Sequence, residues 1–188
     1  MIDTLHTTTF VHPITEREYT VKITRDNHYG APHDEHDGHG VVLILDHDIS
    51  LYDYDSDETT DEQKMRMALY RKLGPSLHTW DHVYYDYIGS IQRAIDEWGC
   101  TEADAPAAVE QDYRYLRGWY QGEWEWCTIE ATAIVGGEKF TNAIGGYEST
   151  IIHDPDQLHD VLRDITHDIE MQVRHKYYAG QLELAFYA

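Results

Sequence analysis

The stretch "EWEWCTIEATAIVGGEKFTNAIGGYES", residues 123–149, decides the fold of this chain. Its first half alternates between two sets of side chains at every second position, which is the period of a β-strand. Trp124 and Trp126 fall on one face of that strand, and Cys127 falls on the other face, which we expect to belong to the core. A glycine pair at 136–137 then supplies a tight turn. The stretch therefore predicts an antiparallel β-hairpin.

A second hairpin is predicted near the start of the chain, in residues 7–26, where apolar and polar residues also alternate. The apolar positions of this hairpin are Phe10, Val11, Tyr19, Val21 and Ile23. The run "VVLIL", residues 41–45, is bounded by polar segments and predicts a short buried strand. The run "HVYYDY", residues 82–87, predicts one more strand.

Four segments carry the periodicity or the capping signals of helices. The predicted helices are Asp61 to Leu73, ended by Gly74 and Pro75; residues 87–98, capped by Asp86 and followed by Gly99; residues 105–121; and Asp154 to about Tyr178, with Gly180 beyond. The last helix is amphipathic, because apolar residues recur along one face. These apolar residues are Leu158, Leu162, Ile165, Ile169 and Val173.

The pattern of elements predicts an α+β fold, in which two antiparallel hairpin regions pack with three to four helices, among them a long C-terminal amphipathic helix. The chain has 188 residues, and we expect a single domain over residues 1–188. Fifteen tyrosines and five tryptophans supply enough apolar surface for a core, so the composition argues against a disordered chain.

The net charge restricts the class of partner. The chain has 35 acidic and 14 basic residues, and its formal net charge is -21. A charge of this size repels nucleic acid and anionic membranes, so we expect no direct binding to either. A basic protein surface is the expected partner. The sequence leaves open whether two copies of the chain form a homodimer through the tryptophan-containing hairpin.

Acidic residues cluster in two places where we predict contacts with such a partner. One is the segment 46–62, which is predicted to be a solvated loop, and the other is a face of the last helix where aspartates recur every four residues. The predicted contacts are Asp53, Asp55, Asp57, Glu58, Asp156, Asp160, Asp164 and Asp168. Like charges at helical spacing cost about 0.2–0.5 kcal/mol per pair.

The stretch "HYGAPHDEHDGHGVV", residues 28–42, is dense in histidine and carboxylate. Imidazole and carboxylate are good ligands for zinc, nickel or iron. The candidate metal ligands are His33, His36, Asp37 and His39. The same residues suit a polar connector between strands, because Asp and His side chains satisfy turn amides. A divalent metal is the one candidate cofactor, and no motif identifies a catalytic residue.

The sequence also predicts where in the cell the protein is located. Cys100 and Cys127 are not part of a CxxC motif, so a zinc site made of thiolates is excluded and two reduced thiols are expected. The first ten residues lack the basic and apolar regions of a signal peptide, and no run reaches about 18 apolar residues. We therefore expect a cytoplasmic protein.

Three segments of the sequence, taken together, carry a resemblance to a group of known proteins. They are "REYTVKITRDNHYGAPHDEHDGHG" at 17–40, "YYDYIGSIQRAIDEWG" at 84–99 and "YRYLRGWYQGEWEWCTIEA" at 113–131. Their "YGAP–EHDGHG" loop and their tyrosine- and tryptophan-rich entry into a hairpin resemble a group of small acidic bacteriophage proteins. The resemblance implies a phage or prophage origin and expression in the cytoplasm of a bacterial host. It implies no activity and no catalytic residue.

These observations favour a binding protein over an enzyme. The preferred hypothesis is an acidic phage-type inhibitor, a nucleic-acid mimic that occupies the basic surface of a host DNA- or RNA-binding defence or replication protein, such as a restriction or CRISPR protein. The alternative is a metal-binding protein or a small metal-dependent hydrolase that uses the histidine segment 28–39. In a third interpretation, the charge serves only solubility or adaptation to high salt.

Overall fold

The computed structural model describes residues 3–45, 69–75 and 82–186. The elements, in chain order, are β1 (Thr4–Val11), β2 (Glu18–Arg25), α1 (Pro32–Glu35), β3 (Val41–Leu45), β4 (Tyr70–Pro75), β5 (His82–Asp86), α2 (Tyr87–Asp96), α3 (Ala105–Tyr120), β6 (Trp126–Val135), β7 (Glu138–Glu148), a 3-10 helix (Ser149–His153) and α4 (Pro155–Phe186). Helices and two antiparallel sheets confirm the predicted α+β class.

The chain divides into two compact units. The first unit comprises Met1–Tyr29 with Glu125–Ala188, and the second comprises Gly30–Trp124. The expectation of a single domain over 1–188 stays a prediction.

The first unit contains a four-stranded sheet in the order β1-β2-β6-β7. Its last two strands form the hairpin predicted around residues 136–137, where Val135 pairs with Glu138 across the turn. Both turn glycines have positive φ, 59° and 85°, as a primed two-residue turn requires. The first two strands form the predicted N-terminal hairpin.

The core of the first unit lies between this sheet and α4. Val21, Ile23 and Ile129 contribute fully buried side chains from the sheet. From α4 come four residues that are 4% exposed or less, namely Leu162, Ile165, Ile169 and Val173, while Leu158 is partly buried. The predicted apolar stripe is thus confirmed. Each fully buried aliphatic side chain of this kind contributes about 1.5–3 kcal/mol.

The strand β6 begins at Trp126 and not at residue 123. Its pairing starts there because the carbonyl of Trp126 accepts a hydrogen bond from the amide of Asp26 at 2.9 Å. Trp124 belongs to the second unit, where its ring lies 4.6 Å from that of Tyr115. The prediction that the two tryptophans share a strand face was therefore wrong. They are 7% and 5% exposed, so neither offers a contact patch.

Cys127 is fully buried, as predicted for a core residue. Burial, together with the carboxylates of Asp26 and Glu125, raises the pKa of its thiol to about 11. The thiol therefore stays protonated at neutral pH and is not a thiolate nucleophile.

The second unit contains a three-stranded sheet in the order β3-β5-β4, against which α2 and α3 pack. Leu73, Tyr85 and Leu116 are its largest core residues, each 2% exposed or less. The helix α2 starts where predicted, because the side chain of Asp86 accepts a hydrogen bond from the amide of Gly89 at 2.9 Å. The helix α3 also lies within its predicted range.

The strand β3 forms at the predicted position, but the prediction that it is buried was wrong. Among the described strands it lies at the edge of its sheet, residues 41–43 are half-buried, and Ile44 is 61% exposed. An apolar run indicates extended structure without showing which of its faces another element covers.

The predicted helix from Asp61 does not reach Leu73, because Tyr70–Pro75 forms the strand β4. Pairing with β5 and the burial of Leu73 outweigh local propensity, which differs among ordinary residues by less than about 1 kcal/mol per residue. Residues 61–68 of that prediction lie outside the described residues, as does the predicted acidic loop at 46–62.

The helix α4 continues to Phe186, so its predicted end near Tyr178 was wrong. Gly180 does not stop the helix. A glycine costs a helix interior about 1 kcal/mol, and the residues that follow, "QLELA", are mostly good helix formers.

A buried carboxylate connects α4 to the β1–β2 hairpin. Glu170 is 5% exposed, and its Oε1 accepts hydrogen bonds from Thr15 Oγ1 at 2.9 Å, Arg17 Nη1 at 2.7 Å and the Tyr19 hydroxyl at 2.6 Å. Burial by itself raises the pKa of this carboxyl. The bonds from Tyr19 and Thr15 and the charge of Arg17 outweigh burial, so the pKa lies below its usual value.

We predict that Glu170→Gln destabilises the protein, because it leaves Arg17 and Tyr19 facing a neutral group. Removing one partner of a buried ion pair costs about 3–5 kcal/mol, and we expect a loss of about 3 kcal/mol because water reaches part of Arg17. Urea unfolding at neutral pH measures this change. Glu18→Gln, an exposed change on β2, is the control and should stay within about 0.5 kcal/mol of the native chain.

The unfolding free energies of the native chain and of Glu170→Gln should also depend differently on pH. Because the folded pKa of Glu170 lies below the value of about 4.3 for an unfolded glutamate, its stabilising contribution is complete above that pH. The contribution is lost as the pH falls through the folded pKa. The difference in unfolding free energy between the native chain and Glu170→Gln should therefore shrink in acid. A difference that stays constant would contradict the assignment.

Candidate functional site

The predicted partner contacts fall into two groups of four. The residues Asp53, Asp55, Asp57 and Glu58 lie outside the described residues. The other four are exposed on α4, and they are Asp156, Asp160, Asp164 and Asp168.

The aspartates face away from the core because the opposite side of α4 carries the buried apolar stripe. The side chains of Asp160 and Asp164 are 66% and 80% exposed. Arg163 lies between them, 3.1 Å from the first carboxylate and 3.6 Å from the second. One arginine offsets one of the four negative charges, so this face of α4 remains acidic.

A cavity of about 440 Å³ opens between β7 and α4, within the first unit. It is lined by Asn142, Ala143, Ile144, Asp164, Ile165, His167 and Asp168. The side-chain amide of Asn142 donates a hydrogen bond to Asp168 at 3.2 Å, which orients that carboxylate. Two carboxylates thus line a recess that has room for the end of a lysine or arginine side chain. We name this recess the aspartate recess.

The four candidate metal ligands do not converge. His33 lies on α1 and His39 follows it, with side chains that are 11% and 16% exposed. His36 and Asp37 are exposed between them. Within residues 3–45, 69–75 and 82–186, no three His, Cys, Asp or Glu side chains form a group that could hold a metal ion.

His39 instead contacts a carboxylate that no pattern in the sequence indicated. Asp112, on α3, accepts hydrogen bonds from His39 Nδ1 at 2.6 Å, from the amide of Gly40 at 2.8 Å and from the hydroxyl of Tyr85 at 2.8 Å. Because a carboxylate only accepts, Nδ1 of His39 carries the proton. His39 and Asp112 are 73 positions apart, and no spacing in the sequence connects them.

Gly40 stands where no side chain fits. A Cβ atom at this position would lie 2.2 Å from the Tyr85 hydroxyl and 2.4 Å from Ser90 Oγ. Ser90 accepts a hydrogen bond from the amide of Val41 at 2.8 Å and donates one to the carbonyl of Asp86 at 2.6 Å. The end of the histidine segment is therefore a hydrogen-bonded junction of β3, β5, α2 and α3. This network assigns Asp112 and His39 a structural role.

His33 packs against the same helix. Its ring stacks on Tyr120 with centroids 6.0 Å apart. Burial lowers the pKa of His33, the nearby His39 lowers it further, and the opposing effects of Asp34 and Asp112 do not restore it. Nδ1 of His33 is buried and has no hydrogen-bond partner in the described part of the chain. The imidazole is therefore neutral at pH 7, with one nitrogen unused.

No family model, curated protein or solved structure matches this chain. The resemblance to small bacteriophage proteins therefore stays a prediction. In the described part of the chain, no helix is both long enough and apolar enough to cross a membrane.

We predict that Asp112→Ala destabilises the second unit, because the buried Tyr85 hydroxyl and the Gly40 amide lose their acceptor. Each buried group left unsatisfied costs about 1–3 kcal/mol, so the loss should reach at least about 2 kcal/mol. Thermal unfolding measures the loss, and hydrogen exchange should accelerate at the Gly40 amide. Asp96→Ala, an exposed change on α2, is the control. Equal stability of the two variants would contradict the structural role of Asp112.

Proposed function

We propose that this chain is a binding protein, and that it inhibits a host protein by occupying a basic surface of that protein. The observation that carries the proposal is the aspartate recess, where Asp164 and Asp168 line a cavity beside β7 while the acidic face of α4 remains open to solvent. A flat acidic surface would attract cations in general. A recess with two carboxylates also selects the shape of the group that enters it.

The electrostatics of this surface favour fast association with a basic partner. Exposed ion pairs contribute only about 0–1 kcal/mol each, so the aspartates outside the recess serve mainly to steer the encounter. Inside the recess, a planar guanidinium has the geometry to bond two carboxylate oxygens at once, and such charge-assisted pairs are stronger. Arginine is therefore the residue that we expect the partner to insert.

The class of partner follows from the same charge. Proteins that bind DNA or RNA carry lysine and arginine to neutralise phosphates, and a row of carboxylates offers them a similar field. We propose a nucleic-acid mimic directed against a host defence or replication protein, for example a restriction or CRISPR protein. The resemblance to bacteriophage proteins supports this choice, and under this proposal the encounter takes place in the host cytoplasm. A homodimer stays a prediction.

We predict that the double change Asp164→Asn, Asp168→Asn weakens capture of the partner about ten-fold, since it removes both charges of the recess. Tagged native and variant proteins are compared by affinity purification from bacterial lysate at low and at about 1 M salt, where the screening length falls to about 3 Å. Native protein should retain a basic nucleic-acid-binding protein at low salt and release most of it at high salt.

The matched control is Glu18→Gln with Glu102→Gln, which also removes two exposed negative charges, neither of which belongs to α4. It should capture the partner as the native chain does. Duplex DNA should compete with the native chain for the captured protein. Binding that is insensitive to salt, equal loss in both double variants, or a captured protein that still binds DNA would each contradict the proposal.

A second candidate is a metal-binding protein or a small metal-dependent hydrolase, and the unused Nδ1 of His33 favours it. Under this candidate, purified protein contains stoichiometric divalent metal and melts at a lower temperature after chelation. His33→Gln should remove both effects, while His153→Gln, in the first unit, should not. Metal below stoichiometry together with unchanged melting would eliminate this candidate.

A further inference from the structure

We propose that the second unit binds a nucleoside phosphate in a cavity between β4 and α3. The cavity measures about 630 Å³, which is within the range of small-molecule sites, about 300–1,000 Å³. Its described lining consists of Tyr70, Arg71, Lys72, Leu73, Gly74, Pro75, Tyr84, Tyr113, Arg117, Tyr120 and Gln121. We name it the arginine–tyrosine cavity. It is separate from the aspartate recess, which belongs to the first unit, and it does not depend on the function proposed above.

The charge of this lining is opposite in sign to the net charge of the chain. The whole chain has 35 acidic and 14 basic residues. The described lining contains Arg71, Lys72 and Arg117, and none of the described lining residues is acidic. A concave site whose described charged residues are all cationic attracts anions. The local charge therefore points to an anionic ligand.

Arg71 is held in a fixed orientation at the edge of the cavity. Its guanidinium carbon lies 3.9 Å from the ring centroid of Tyr87 and 5.3 Å from that of Tyr113. Its Nη1 is bonded to Glu110, and Arg114 bonds the same carboxylate. Since the charge of Glu110 is shared between two arginines, a positive charge remains, and the contact with the aromatic rings holds the planar guanidinium in place.

Lys72 and Arg117 are the two cations available to a ligand. Both are exposed, and no carboxylate of the described residues forms an ion pair with either side chain. With its amide oxygen turned toward Arg117, Gln121 accepts a hydrogen bond from Nε at 2.7 Å, which positions the guanidinium without neutralising it. One lysine and one arginine beside an open cavity are the groups that bind a phosphate.

Four tyrosines make the rest of the lining aromatic, and they are Tyr70, Tyr84, Tyr113 and Tyr120. Aromatic faces of this kind stack on nucleobases, and each stacked base contributes about 1–3 kcal/mol in proteins that bind single strands. Burial raises the pKa of Tyr84, and burial with the charge of Asp34 raises the pKa of Tyr120. Both hydroxyls therefore remain protonated at neutral pH and can donate hydrogen bonds to phosphate oxygens.

A close approach of β4 to α3 shapes one wall of the cavity. A Cβ atom at Gly74 would lie 2.9 Å from Cβ of Tyr120, so only glycine permits this approach. The register of β4 against β5 shifts between Lys72 and Gly74. Such a bulge re-aims neighbouring side chains, and it accompanies the exposed position of Lys72 at the cavity.

The size of the anion is limited by the charge of the whole chain. A long polyanion would meet the repulsion of a net charge of -21 along its length, whereas a mononucleotide places one phosphate beside the three local cations. The nucleobase of such a ligand would stack on the tyrosine rings of the lining. We therefore assign the cavity to a nucleoside phosphate rather than to a single-stranded nucleic acid.

The test is isothermal titration calorimetry of the full chain with the four nucleoside monophosphates, adenosine, inorganic phosphate and a thymidine oligonucleotide. At least one monophosphate should bind with a Kd below about 1 mM, and both its parent nucleoside and inorganic phosphate should bind at least about ten-fold more weakly. The double variant Lys72→Gln, Arg117→Gln should weaken monophosphate binding at least about ten-fold.

The control is Arg93→Gln, a change of a half-buried side chain on α2 outside the cavity, which should alter the Kd by less than about two-fold. Thermal melting confirms that each variant is folded. No monophosphate binding, equal affinity for nucleoside and nucleotide, tighter binding of the oligonucleotide, or equal weakening by Arg93→Gln would each overturn the assignment. None of these results depends on capture of a protein partner, so the two proposals fail separately.

Discussion

Each compact unit of this protein contains a carboxylate, buried at Glu170 and half-buried at Asp112, that accepts three hydrogen bonds. In the first unit, Glu170 receives them from the β1–β2 hairpin and so anchors α4. In the second unit, Asp112 receives them from the histidine segment and from β5. A buried charge without partners would cost several kcal/mol, and a chain of net charge -21 already opposes compaction by self-repulsion. Both carboxylates are tolerated because each of these donors lies in a segment that folding brings next to the carboxylate.

The same constraint explains how charge is distributed over the described surface. The aspartates of α4 remain exposed to solvent, and they occupy the side of the helix opposite the apolar stripe. Cations are scarce, so the places where several of them gather are informative. Arg71, Lys72 and Arg117 line one cavity of the second unit, while the aspartate recess lies in the first. The two surfaces suit ligands of opposite charge. The proposed protein partner and the proposed small ligand would therefore bind at different places on the chain.

Local patterns predicted the elements whose own sequence contains the reason for their structure. The glycine turn at 136–137, the cap at Asp86 and the apolar stripe of α4 are each visible within about a dozen residues. Errors arose where a distant segment decides the outcome. The pairing of β4 with β5 overrides a helical pattern, and Ile44 on β3 is exposed because the burial of a strand residue depends on whether another element covers its face. Gly180 does not end α4, since the cost of one glycine is small beside the helix formers around it.

The sequence by itself determined the α+β class, the two hairpins, the amphipathic last helix and the surplus of negative charge, because these follow from periodicity and composition. Only the tertiary structure decided which residues share a site. Within the described part of the chain it brought no three of the candidate metal ligands together, joined His39 to Asp112 across 73 positions, and gathered three cations from β4 and α3 into one cavity. The physical reason is that local structure depends on neighbours in sequence, whereas a site depends on contacts between segments that only a folded core brings together.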